Sequence, residues 1–356
     1  MKKSFRYIVL SLVLLLGINA PEAFAGNEDR SGQAGAAELL INPWAASAGF
    51  GNAGMSFVKG VDALYGNVAG ISAIRSMDVN FSHTDWLSGS GIRVSSFGLA
   101  VRVGESSVLG LGFMSFNLGT VAQTTTESPD GGIGTYKPNL LNINLAFSKT
   151  FSNSISGGFN LKIINESIAN MSAMGVALDA GIQYVTGPFD NIHFGITLKN
   201  IGPTMTFSGD GLSIKAYLLP GTSLQHTVIQ RADQFELPTQ LSIAAAYDFY
   251  FAETNRITVA GNFISNSFTK DQYVLGLEYA WKDYLAIRTG YTYESGLFSG
   301  ILDDECMNLN NGLSAGCSVQ VPLSKRENAP VFAVDYAYRT TYSYGGTHSF
   351  GVRLNF

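Results

Sequence analysis

The sequence predicts an all-β fold, a transmembrane antiparallel β-barrel of about fourteen strands. Three observations predict it. First, apolar and polar residues alternate through most of the chain. At the end, Phe350, Val352, Leu354 and Phe356 are separated by Ser349, Gly351, Arg353 and Asn355, a period of two that marks a strand with unlike surroundings on its two faces. Second, only 14% of residues are charged, against a usual share of roughly 25%, while 40 Gly, 23 Phe and 16 Tyr are present. Third, short and long connections are spaced as in an outer-membrane barrel, which has short turns on one side and long loops on the other.

Residues 1–25 read as a signal peptide. Lys2, Lys3 and Arg6 precede an apolar run from Tyr7 to Leu16, and Ala23-Phe24-Ala25 supplies small residues for cleavage. The run is short for a bilayer span, and no later stretch approaches the roughly 18 apolar residues a spanning helix needs. Cleavage removes three basic residues and one acidic residue, taking the net charge from −5 to −7. An exported, mildly acidic chain is a poor general nucleic-acid binder. Residues 26–75 come next, rich in Ala and Gly, and residues 76–356 carry the strands.

The first strand alternates at Met77, Val79 and Phe81, and the next at Phe97, Leu99, Val101 and Val103. Leu141, Ile143, Leu145 and Phe147 follow, and similar runs continue through Tyr336 and Tyr338 to the last strand. The opposite face holds Lys162, Asp179, Lys199, Asp248, Glu278, Arg288, Asp335, Arg339 and Arg353, a set of both signs suited to ion pairs in a lumen. A soluble sandwich also alternates, so aromatic placement decides. Tyr247 and Phe249, Tyr279 and Trp281, and Tyr291 and Tyr293 cluster at strand ends on the apolar face, as in interfacial girdles. Tight turns at 104–106, 152–153, 187–189 and 282–283 contrast with long connections at 118–139, 201–237 and 295–310. A strand at 311–321 completes an even count and puts both chain ends at the periplasmic side. The last strand then closes the wall and leaves no free edge.

Motifs for chemistry are sparse. Gly49, Gly51 and Gly54 have dinucleotide-loop spacing but no βαβ unit around them, so they read as a compact turn. His83 with Asp85 lacks any nucleophile motif, and the four histidines never form a close ligand pair. No catalytic residue, cofactor or metal site is expected, and Asp303–Glu305 reads as an acidic loop. Cys306 and Cys317 can pair in an oxidising compartment, although one falls in a loop and the other within a strand, so the disulfide is open. Residues 201–237 carry Phe207, Leu212, Tyr217, Leu218 and Leu219, which either pack into the barrel mouth or bind a partner.

The segment from Ala34 to Ile74 resembles the N-terminal region of the PorV/PorQ family, related to the FadL-type fatty-acid transporters. Leu39-Leu40-Ile41, Gly51-Asn52-Ala53-Gly54, Asp62-Ala63-Leu64-Tyr65 and Asn67-Val68-Ala69-Gly70 carry the likeness. Val68 stands where the family usually has Pro, and Ala46 where it often has Arg. Lys199–Pro203, Leu237–Phe249 and Asp335–Phe356 look like further landmarks. The resemblance implies a FadL-like barrel whose segment 26–75 is an internal plug marked by Gly51, Gly54, Asp62, Asn67 and Gly70. It also implies a non-enzymatic role in type IX protein secretion in the Bacteroidota outer membrane. PorV-type members work with a large translocon barrel, a sortase and the C-terminal signal domains of cargo; PorQ-type members serve an attachment complex. The competing expectation is FadL-like passage of hydrophobic small molecules.

Overall fold

The computed structural model describes residues 26–217, 225–251, 254–282, 284–297, 308–324 and 329–356. Their strands close into one barrel. The first seven are β1 (Met77–Trp86), β2 (Ile92–Arg102), β3 (Ser107–Asn117), β4 (Asn139–Thr150), β5 (Ile155–Ile168), β6 (Met171–Thr186) and β7 (Ile192–Ile201). The rest are β8 (Gln240–Phe251), β9 (Asn255–Asn266), β10 (Gln272–Trp281), β11 (Leu285–Glu294), β12 (Asn310–Pro322), β13 (Val331–Thr341) and β14 (Thr347–Asn355). Each pairs antiparallel with the next, and β14 pairs back onto β1 from Asp78 opposite Asn355 to Asp85 opposite His348. Among the described residues no helix is long and apolar enough to cross a membrane.

Alternation in the sequence becomes alternation of exposure. Along β4, Leu145 is 44% exposed while Asn144 is fully buried. Phe81, Leu109, Phe159, Ile196, Leu275, Ile287 and Phe350 continue the apolar outer belt around the wall. So many exposed large apolar side chains on one face are far beyond what a soluble monomer shows, and they mark a face for lipid. Tyr247, Tyr279, Trp281 and Tyr293 stand exposed at strand ends above and below it, where a ring with a polar tip spans apolar and wet surroundings.

The long connections 118–138, 202–239 and 295–309 all leave one rim, here called the loop rim. Turns of three to eight residues lie at the other, terminal rim, where β1 begins and β14 ends. The wall's two ends share that rim, as the even strand count predicts. Gly26, the first described residue, packs against Thr269 and Asp271 in the 267–271 connection of the loop rim. From there the chain runs through the lumen and emerges at Ser76, whose amide donates to the Phe356 carbonyl. The sequence rule places the ends of the wall, not the end of a segment threaded inside it.

This inner segment folds as short turns at Ala37–Leu40, Ala53–Ser56, Gly60–Leu64 and Val68–Ala73, with one short helix, α1 (Ala45–Gly49). It has no single apolar face because wall surrounds it. Trp44, Val61, Leu64, Tyr65, Val68 and Ile71 form a core with Val94, Val108 and Met114 projecting from β2 and β3. Small residues permit the contact. A Cβ on Gly181 of β6 would fall 2.1 Å from the Asn67 side-chain oxygen, and one on Gly290 of β11 would fall 2.4 Å from the Phe50 carbonyl.

Candidate functional site

Specific polar contacts fix the inner segment to the wall. The Asn67 side chain accepts from the Ala69 amide, and its nitrogen donates to the Met55 carbonyl at 3.1 Å and to the Ile182 carbonyl of β6 at 2.9 Å. Asp62 accepts from Asn80 of β1 at 2.5 Å, and Asp78 accepts from the Val61 amide at 2.8 Å. At the terminal rim, Arg102 donates to the carbonyls of Ser72, Ile74, Arg75 and Glu105, so one guanidinium holds the exit of the segment. Five donors in a rigid fork suit Arg to this task.

Between β6 and β7 the register shifts at Leu178/Ala180, and Asn200 adopts φ 62°. This bulge inserts a residue opposite Asp179, which accepts from the Asn200 amide at 2.8 Å and pairs with Lys162 at 2.7 Å. Lys199, next in the bulge, reaches the Tyr65 carbonyl at 3.3 Å. The expected ion pairs of the lumen are present. Glu278 meets Arg288 at 2.5 Å and Arg256 at 2.7 Å, while Arg353 lies 3.9 Å from Asp335. Asp248 joins His193 at 3.1 Å and Arg256 at 3.7 Å. Arg256 and His193 were not anticipated, because each stands at a strand end where alternation is weakest.

All five expected plug positions fall within the inner segment. Gly51 turns with φ 64°, a left-handed conformation that favours glycine. Gly54 packs between the rings of Phe50 and Phe57, and a Cβ on Gly70 would meet the Val58 carbonyl at 1.9 Å. Asp62 and Asn67 make the bonds above. The described ones among the expected partner-binding positions lie in different surroundings. Phe207 packs home on Phe235, ring centres 5.7 Å apart, in a cluster with Leu39, Ile164, Met205 and Leu237. Leu212 is half-buried, whereas Tyr217 is 61% exposed. Leu218 and Leu219 lie outside the described residues, as do Asp303–Glu305 and Cys306. Cys317 is a free thiol on the exposed face of β12. His83 bonds Ser95 at 3.0 Å.

Cavities occur at both rims. At the loop rim a recess of about 100 Å³ lies between the inner segment and the wall, lined by Ala34, Ala37, Leu40, Pro238 and Phe268 among others. Arg30 sits over the Phe268 ring at 4.4 Å and pairs with Glu236. No signal in the sequence joins residues 32–40 to 266–269. Toward the terminal rim, a cavity of about 480 Å³ is lined by Arg75, Lys282, Tyr284 and Arg353. Back at the loop rim, burial and then the neighbouring Glu166 carboxylate push the Glu38 carboxyl up to about 7. Among the described residues no group of three His, Cys, Asp or Glu could hold a metal ion.

No protein-family model and no curated protein matches the chain. Solved structures do. The toluene transporter TbuX of Ralstonia pickettii aligns with a TM-score of 0.53 at 11% identity, covering 88% of this chain and 97% of its own. The fold is FadL-like. TodX, the toluene transporter of Pseudomonas putida, gives a TM-score of 0.53 at 12% identity, and the monoaromatic hydrocarbon channel CymD gives 0.51 at 12%. Both cover 88% of this chain and 97% of theirs. At such identity the likeness carries the architecture of a FadL-like barrel and no residue roles.

Proposed function

We propose that this FadL-like barrel sits in the bacterial outer membrane, delivered by its signal peptide, and passes hydrophobic small molecules inward. The observation that carries this reading is the apolar recess at the loop rim, wedged between Ala34, Ala37 and Leu40 of the inner segment and Pro238 and Phe268 of the wall. Its volume is of the same order as the roughly 150 Å³ apolar cavity that holds one benzene. Support also comes from the neighbours' descriptions as toluene transporters and a monoaromatic hydrocarbon channel. The ion-paired lumen is no greasy tunnel, so cargo moves past the inner segment only when that segment shifts. The test is uptake of labelled toluene or laurate by cells making the barrel. Ala37→Trp should fill the recess and reduce uptake at least tenfold while the protein stays folded. Uptake no faster than in cells lacking the barrel would overturn the proposal.

A second reading is a PorV/PorQ-type scaffold for type IX secretion, docking a translocon barrel, a sortase or cargo signal domains. One observation favours it. The hairpin of residues 213–216 and 226–229 presents Ile214, Tyr217 and Ile229 at 42%, 61% and 76% exposure beyond the loop rim. Apolar groups held outside lipid and water-exposed suit a protein contact.

A further inference from the structure

The outward face of the barrel is not uniform at the loop rim. Across six neighbouring strands, β14 and then β1 to β5, the residues that stand opposite one another in register are His348, Asp85, Arg93, Asn117, Asn139 and Ser167. All are exposed or half-buried, and each shares its strand face with the apolar outer belt. Two residues deeper, His83, Ser95 and Ser115 continue the polar patch in register. Two deeper again, Phe81, Phe97 and Phe113 lie side by side at 48%, 40% and 37% exposure. On the far side of the barrel the loop-rim positions differ. Tyr273 of β10 stands opposite Tyr293 of β11 and Phe263 of β9, an aromatic girdle.

Strands that overshoot a membrane carry polar residues above it, but the lengths here speak against overshoot. β1, β2 and β3 have 10, 11 and 11 residues, about the 9–11 that a tilted strand needs to cross. The polar rows therefore lie at headgroup depth. Their chemistry is mixed. Asp85 and Arg93 are direct cross-strand partners, yet among the described residues neither forms an ion pair. His83 bonds Ser95 at 3.0 Å and His348 bonds the Tyr336 hydroxyl at 2.9 Å, each through Nδ1. A guanidinium suits phosphate, while a carboxylate and amides suit the hydroxyls of a sugar.

We propose that this sector seats the headgroup of an outer-leaflet glycolipid, a phosphorylated sugar carried on acyl chains. Arg93 meets a phosphate, Asp85, Asn117 and Asn139 meet the sugar, and Phe81, Phe97 and Phe113 meet the acyl chains below. The polar rows run straight into the lipid-facing belt, which favours a lipid over a protein that would have to displace lipid to reach them. The inference rests on the outer-membrane placement proposed above and not on any cargo.

The test uses the full mature chain refolded into detergent free of lipopolysaccharide, with bisphosphorylated lipid A as the probe. Native mass spectrometry should find one lipid A retained per barrel. Phosphatidylglycerol, an anionic lipid without the sugar, should be held at least tenfold more weakly. Arg93→Gln should weaken lipid A retention at least tenfold, and Asn139→Ala carries the same test should that variant not refold. Binding in detergent is read whatever the barrel passes, so it fails separately from the uptake reading. In cells, a photo-crosslinking residue in place of Asn117 should give an adduct with lipopolysaccharide. The proposal falls if no lipid A is retained, if phosphatidylglycerol is held as tightly, if both variants hold lipid A as the parent does, or if the adduct is a protein.

Discussion

Asn144 and Leu145 are adjacent on β4 and face opposite worlds. Leu145→Arg puts a cation on the lipid face and should cost roughly 2–4 kcal/mol near the bilayer midplane. From alternation alone, Asn144→Arg looks mild because its face is polar. The structure revises that. Asn144 donates to the Tyr65 hydroxyl at 2.7 Å and accepts from Asn160 at 2.9 Å, so a larger side chain there meets the inner segment rather than water. Both variants should therefore lose heat-modifiable barrel on denaturing gels, but for different reasons. Removing residues 26–75 should rescue Asn144→Arg and not Leu145→Arg. Equal rescue would mean the inner segment does not press on Asn144. Asn67→Ala tests the same contact from the other side. It removes the nearer of two side-chain donors from the Met55 carbonyl, Gln183 remaining at 3.4 Å, and a donor from the Ile182 carbonyl, a loss of about 0.5–1.5 kcal/mol per bond, read as a lower unfolding midpoint.

At the scale of elements, the fourteen wall strands were legible because lipid outside and polar groups inside write a period of two. Even the weak strand of residues 311–321 appears, at Asn310–Pro322. The inner segment was legible only through its resemblance to a family. Surrounded by wall, it buries residues on every side, and its turns obey contacts with β1, β6 and β11 rather than any local rhythm. Arg102 looked like one more alternating polar position; its four carbonyl partners come from the chain's path, which spacing does not encode. The outer hairpin makes a separate prediction. Changing Ile214, Tyr217 and Ile229 together to Ser should leave the barrel folded, since these side chains are exposed. If the hairpin docks a protein, co-purification of that protein from the native membrane should be lost, as truncating a central anchor typically costs ~2 kcal/mol or more. Unchanged recovery would remove the scaffold reading at this hairpin.

At the scale of the whole molecule, the filled lumen predicts little ion flow. Planar-bilayer recordings should show small conductance for the intact protein and a larger, steadier one once residues 26–75 are deleted. A wide open pore in the intact protein would mean the segment does not seal the barrel. The path of that segment has a further outcome. A cord that starts beside Thr269 and leaves at Ser76 is not a door on one hinge; it is a thread through a ring. The ring is zipped by β14 meeting β1, so the thread is either laid across before the zip closes or drawn through afterwards end first. Either route can be jammed. A short unstructured tag on Gly26 should be carried through and become reachable by an impermeant label on intact cells. A rapidly folding domain at the same place should be too bulky to pass, and should strand the chain on the way.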